Sequence, residues 1–162
     1  MFCFSNEDYE VAGLDYINLI RCCAQYCTHF SLVFWRSQLF EHYQLPIVPY
    51  LCKATQWKQT RMPGYYEEHF KCYYQCTEDA VAYLYRRVNN LFDWVRDWKE
   101  KDSETDNPED ITFYREDGSV FFQSITHEGE CWIFPREGEY VDDIVSRPGW
   151  EKIDKKPILF EY

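Results

Sequence analysis

Four residues whose side chains could do chemistry lie in one short stretch of the chain: His127, Glu128, Glu130 and Cys131. A carboxylate beside an imidazole can orient the ring as a general base, and a histidine can activate a thiol as a nucleophile. Adjacent strand residues point to opposite faces, however, and Gly129 interrupts the run. One hypothesis is therefore a small enzyme that uses His127 with Glu128 or Glu130. The other is that His127 and Glu128 fix a turn or belong to a recognition surface.

The sequence offers no further catalytic pattern. The remaining histidines are scattered, and none forms His-x3-His or His-Glu-x2-His. A glycine-rich phosphate loop and a Gly-x-Ser-x-Gly elbow do not occur either. We therefore expect no cofactor and no catalytic metal, and we favour a binding module over an enzyme.

The eight cysteines pose a choice between free thiols and a metal site. The start of the chain, MFCFSNEDYE, lacks the basic and apolar regions of a signal peptide, which favours a cytoplasmic location and reduced thiols. Zinc prefers paired Cys-x2-Cys knuckles, whereas the spacing here is Cys-x3-Cys, at Cys23–Cys27 and Cys72–Cys76. We expect buried thiols that act as small hydrophobic side chains, with a structural zinc site as the alternative.

Negative charge is concentrated in one segment. Residues 97–143 contain 15 acids and 4 bases, a net charge of −11, whereas the rest of the chain contains 13 of each. Nucleic acid is not expected as a partner because phosphate binding requires Lys and Arg. A membrane partner is not expected because no window of about 18 apolar residues occurs. A basic protein partner fits the charge, and a solvated acidic face that maintains solubility is the alternative.

Aromatic residues make up 20% of the chain, more than a core of this size needs, so some rings should reach the surface. Rigid rings supply contact area in protein interfaces, while carboxylates steer a basic partner. The residues that we expect to contact the partner are Glu109, Asp110, Glu116, Asp117, His127, Glu128 and Glu130.

The elements that must position these residues form a β-meander. Ile111–Arg115 and Val120–Thr126 are rich in β-branched and aromatic residues, and Asp117-Gly118 between them is a strong hairpin signal. Cys131–Phe134 predicts a third strand. Further strands are predicted at Thr28–Arg36, with apolar residues on both faces, and at Tyr65–Gln75.

Two helices complete the prediction. Apolar residues recur at helical spacing over Leu14–Tyr26 and Glu78–Trp98, whereas the polar stretch Thr55–Gly64 predicts a loop and turn. We also expect a short helix at Ser37–Tyr43 and an exposed linker at Lys99–Asn107. The fold class is then α+β, with residues 1–162 in a single domain whose mostly antiparallel sheet carries the two main helices.

One string resembles a known sequence style. Pro108-Glu109-Asp110-Ile111, Phe113-Tyr114, Asp117-Gly118, Ser124-Ile125 and His127-Glu128 follow one another between residues 108 and 128. This pattern is similar to one that recurs in small uncharacterised bacterial proteins in the style of polymorphic-toxin immunity proteins. The resemblance implies a non-enzymatic protein that neutralises a basic toxin. It transfers no active-site residue.

Overall fold

The computed structural model describes residues 1–5, 8–35, 45–62, 65–94 and 107–154, with side chains except at 57–62 and 65–67. Within these ranges eight strands form one antiparallel sheet, which confirms the α+β class. In chain order they are β1 (Phe2–Ser5), β2 (His29–Trp35), β3 (Leu51–Met62), β4 (Tyr65–Gln75), β5 (Glu109–Tyr114), β6 (Val120–Ile125), β7 (Glu130–Ile133) and β8 (Trp150–Lys152). Across the sheet the order is β3-β4-β2-β5-β6-β7-β1-β8.

The predicted meander is confirmed, because β5, β6 and β7 are consecutive in the chain and adjacent in the sheet. Its first turn is closed by a hydrogen bond from Gly118 N to Arg115 O, and Gly118 has a positive φ of 80°, which glycine adopts without steric cost. Strand β2 lies between β4 and β5, as its apolar residues on both faces predicted.

Helices α1 (Leu14–Tyr26) and α2 (Glu78–Arg87) bury their apolar stripes in a core shared with alternate residues of the strands. Thr77 begins α2, and its hydroxyl accepts a hydrogen bond from Ala80 N. The hydroxyl of Tyr16 in α1 donates to the carbonyl of Leu84 and so joins the two helices. A single helical turn, α3 (Asp142–Val145), follows the meander. No helix in the described ranges has the length and apolar character needed to span a membrane.

The second helix is shorter than predicted. It ends at Arg87, Val88 is extended, and a 3₁₀ turn covers Leu91–Asp93. The apolar spacing continues past Arg87 because Val88 and Leu91 enter the same core from a non-helical connection. This connection is held by backbone hydrogen bonds from Gly13 N to Asn89 O and from Leu91 N to Val11 O. Residues 95–98 of the predicted helix lie outside the described residues.

The prediction of a loop at Thr55–Gly64 is wrong for the residues up to Met62. Strand β3 extends through Met62 and pairs with β4. Strand β3 lies at the edge of the sheet and has one neighbouring strand. Edge strands often carry polar and charged residues, so their composition resembles that of a loop. The turn that contains Gly64, the helix predicted at Ser37–Tyr43 and most of the linker predicted at Lys99–Asn107 lie outside the described residues.

Candidate protein-binding surface

The structure does not bring the seven predicted contact residues together. Glu116 and Asp117 lie in the hairpin turn before β6, whereas His127, Glu128 and Glu130 lie beyond its other end. Strand β6 has six residues, so about 20 Å separates the two groups. Glu109 and Asp110 are buried, which removes them from any contact surface.

Asp110 has a structural role. Its backbone takes a positive φ of 47°, and its carboxylate accepts a hydrogen bond of 2.7 Å from Thr126 N. The Thr126 hydroxyl lies 3.1 Å from the same oxygen and donates to the carbonyl of Trp94. Burial raises the pKa of Asp110, while the hydrogen bonds from Thr126 oppose that shift. Asp110 therefore ties β5 to the turn after β6 and to the segment after α2.

Asp117 is exposed but already has partners. Its carboxylate accepts hydrogen bonds from the hydroxyl and backbone N–H of Ser119, at 2.6 and 3.0 Å, and pairs with Arg136 at 2.8 Å. These hydrogen bonds hold the pKa of Asp117 below its ordinary value. Glu116 is exposed beside it. Asp117 thus serves first to fix the hairpin turn.

His127 and Glu128 lie on the surface. They belong to a 3₁₀ turn, and His127 Nε2 lies 3.4 Å from Glu128 Oε1. Cys131 is fully buried in the core, and burial raises its thiol pKa well above the ordinary value. A thiol nucleophile activated by His127 is therefore not assembled. The described cysteines are all free thiols, and no group of three His, Cys, Asp or Glu in the described ranges could hold a metal ion.

Sequence reasoning did not assign a role to Arg115, which is buried at the end of the β5–β6 hairpin. Its guanidinium donates to both carboxylate oxygens of Glu139, at 2.6 and 2.7 Å. It also donates to the carbonyls of Val120 and Phe134, at 2.7 and 2.6 Å, and to the Ser119 hydroxyl. The guanidinium also lies over the ring of Phe121. Every part of this charge is satisfied internally, so the cluster stabilises the fold.

Sequence reasoning also missed a cavity of about 200 Å³ beside β1, which we call the acidic pocket. Its carboxylates belong to Glu10, Asp15 and Asp143, and rings of Phe4, Tyr9 and Trp150 are among its walls. A second cavity of about 320 Å³, the acidic groove, shares Tyr9 and adds Asp8 and Glu151.

The alternation of β1 explains why two cavities meet at this place. Phe4 points into the core, whereas Cys3 and Ser5 point to the other side of the sheet, where they line the groove. Gly149 has a φ of 90°, and a Cβ there would collide with the ring of Phe4. Glycine therefore lets β8 approach β1, which places Trp150 edge-on to Phe4 at 5.4 Å between ring centres.

Among the described residues, the lining of the two cavities carries a net negative charge. Five carboxylates and one base, Arg147, line them within the described part of the chain. Arg147 Nε lies 3.5 Å from Asp15 Oδ1, and the two side chains are 58% and 46% exposed. Burial, followed by the charges of Glu130 and Glu151, raises the pKa of Cys3 in the groove to about 11.

The acids of this site come from both ends of the sequence. Asp8, Glu10 and Asp15 lie outside the acidic segment 97–143, in the part of the chain that appeared neutral, while residues 97–106 of that segment lie outside the described residues. The pairing of β1 with β7 and β8 brings the two sets together. No family model, no curated protein and no solved structure matches the chain.

Proposed function

We propose that the protein is a non-enzymatic binding module for a basic protein, of the kind that an immunity protein forms with a toxin. The observation that carries the proposal is the convergence of Asp8, Glu10, Asp15, Asp143 and Glu151 around Tyr9. Carboxylates gathered in clefts with apolar walls focus the electrostatic field and accelerate encounter with a partner of opposite charge.

The apolar residues beside these acids support a contact surface over a merely solvated face. Tyr9 is 50% exposed and Leu14, the first residue of α1, is 75% exposed. Tyrosine is enriched among the residues that contribute most of the binding energy in protein interfaces. Arginine side chains of the chain hold Asp117 and Glu139 closely, at 2.8 and 2.6 Å, whereas Glu10 and Asp143 have no ion pair within the described residues.

The alternative, a small enzyme that uses His127 with Glu128 or Glu130, has less support. The imidazole and the Glu128 carboxylate are both largely exposed, and neither the acidic pocket nor the acidic groove is lined by His127. General acid–base catalysis requires a substrate held within hydrogen-bond reach of the imidazole.

The test compares two triple variants of equal charge. D8N/E10Q/D143N removes three carboxylates around Tyr9, and E116Q/E128Q/E137Q removes three exposed ones elsewhere. A tagged protein captures its partner from the native host, and association of the purified pair is measured by biolayer interferometry at low and high salt. We expect the first variant to slow association by about tenfold at low salt, and the control to have a much smaller effect.

The salt dependence of the association rate distinguishes a loss of electrostatic steering from misfolding of the variant. At high salt the difference between the two variants should shrink, because the charges are then screened over about 3 Å at 1 M. Equal slowing by both triple variants would assign the effect to net charge alone and would contradict a binding surface at Tyr9.

A further inference from the structure

The acidic pocket, we infer, receives one arginine side chain of the partner, and Arg147 partly occupies its place in the free protein. This inference rests on the proposed function. It adds the chemical identity of the group that is bound and a competing group within the chain itself.

The size of the acidic pocket indicates a side chain as the occupant. Its volume of about 200 Å³ is below the range of about 300–1,000 Å³ that is typical of drug-sized ligands and cofactors. Its walls combine apolar surface, from Val11, Ile144 and Pro148, with the rings of Tyr9 and Trp150. Such walls suit the methylene stem of an arginine and the flat faces of its guanidinium.

The charge of the pocket favours a cation as its occupant. Glu10, Asp15 and Asp143 line it, and of these Asp15 alone has an ion pair within the described residues. The pair of Asp15 with Arg147 is long, at 3.5 Å, and about half exposed on both sides. An exposed pair of this kind contributes little to stability. An incoming guanidinium can therefore displace Arg147 at low cost and gain two further carboxylates.

The walls are fixed before any partner arrives. The ring of Phe4 stacks on Phe92 at 5.9 Å and meets Trp150 edge-on at 5.4 Å. Ile144 is buried and held by a hydrogen bond from its backbone N–H to Val141 O, at 2.9 Å. A preformed site loses little conformational entropy on binding, so even a single side chain can contribute measurably.

The experiment uses a probe instead of the unidentified partner. N-acetyl-arginine methylamide is titrated into the full chain and followed by the NMR signals of Trp150 and Tyr9, with the neutral isostere N-acetyl-citrulline methylamide as the matched ligand control. We expect shifts for the arginine probe that citrulline does not produce. E10Q/D143N should weaken probe binding by about fivefold, because two of the three carboxylates are lost.

Replacement of Arg147 gives the most specific outcome. R147Q should strengthen probe binding by about threefold, because it removes the competing cation. The control R86Q removes an exposed arginine on α2 and should leave probe binding almost unchanged. Weaker or unchanged binding by R147Q, or arginine shifts that avoid Trp150 and Tyr9, would overturn the inference.

The two proposals fail in different ways. If E10Q/D143N does not affect the arginine probe but D8N/E10Q/D143N still slows association with the captured partner, the pocket inference is wrong and the acidic binding surface stands. If the probe binds at the pocket but no partner depends on these acids, the pocket does bind arginine, but the proposed function and the assignment of that arginine to a partner are both wrong.

Discussion

Two of the arginine–carboxylate pairs in the described part of this molecule, Arg115 with Glu139 and Arg147 with Asp15, are built in opposite ways. Arg115 binds Glu139 through two short hydrogen bonds, and the two side chains are 7% and 13% exposed. Arg147 meets Asp15 through one contact of 3.5 Å, and both side chains are about half exposed. The first pair has every donor satisfied and holds the fold, whereas the second leaves its groups available to a partner.

This contrast separates two uses of acidic residues in one chain. Composition assigns the same charge to Glu139 and to Asp143, but Glu139 is held by hydrogen bonds from Arg115 and Arg136 N, and Asp143 lines a cavity. The number of acidic residues in the sequence therefore overestimates the number of carboxylates that another molecule could contact. Within the described residues, no arginine engages Glu10 or Asp143 in the way that Arg115 engages Glu139.

The largest effect expected from this comparison is on stability. Arg115→Met should lower the free energy of unfolding by about 3–5 kcal/mol, because it leaves the Glu139 carboxylate and two carbonyls without their donor. The measurement is urea denaturation at pH 7. Arg147→Met is the matched control, with an expected loss below about 0.5 kcal/mol because its pair is exposed and screened. Equal losses in both variants would remove the distinction between the two pairs.

The second effect depends on pH. Hydrogen bonds from Arg115 hold the pKa of Glu139 below its ordinary value of 4.5. The pair therefore stabilises the fold fully above pH 4.5, and this contribution is lost as the pH falls through the lowered pKa. Glu139→Gln should cost about 2–3 kcal/mol at pH 7, and its deficit relative to wild type should shrink in acid. Chemical denaturation at several pH values from 7 to 3 measures this loss of stability and its dependence on pH. A loss that does not change with pH would contradict the pairing of Glu139 with Arg115.

A third carboxylate, that of Asp110, sharpens the comparison because no arginine of the described residues holds it. Asp110→Ala should cost about 1–2 kcal/mol, since alanine loses the hydrogen bond from Thr126 and is strained at a φ of 47°. Asp110→Asn keeps an acceptor and tolerates this backbone, so its stability at pH 7 should equal or exceed that of wild type. The raised pKa of Asp110 means that ionisation opposes folding as pH rises, and asparagine removes that cost. The measurement is thermal unfolding of both variants at pH 7, which compares their stabilities with that of wild type.

The smallest effect on stability is expected at the acidic pocket. E10Q/D143N should change the midpoint of thermal unfolding by no more than about 2 °C, because both side chains are exposed and have no ion pair within the described residues. A large loss of thermal stability in this variant would show that these carboxylates support the fold, and the contrast with Glu139 would then disappear.

Local sequence signals predicted the central elements because their causes are local. Asp117-Gly118 supplies the backbone conformation that the hairpin turn needs, and the alternation of Tyr65–Gln75 matches β4. The end of α2 was not predictable in this way, because Val88 and Leu91 keep a helical spacing while they lie in an extended connection and a 3₁₀ turn. The burial of Glu109 and Asp110 was not predictable for a similar reason, since no sequence pattern distinguishes the buried Asp110 from the exposed Glu116.

The sequence by itself determined the class of fold, the order of the meander and the excess of negative charge, because hydrophobic period, turn chemistry and composition act over a few neighbouring residues. Only the tertiary structure decided which acids are free. Asp8 and Glu151 lie near opposite ends of the chain, and the pairing of β1 with β8 brings them to the same groove, whereas Glu139 is engaged by Arg115, which lies 24 residues earlier in the sequence. Charge becomes a binding surface only where folding leaves it without a partner, and that depends on contacts between distant segments.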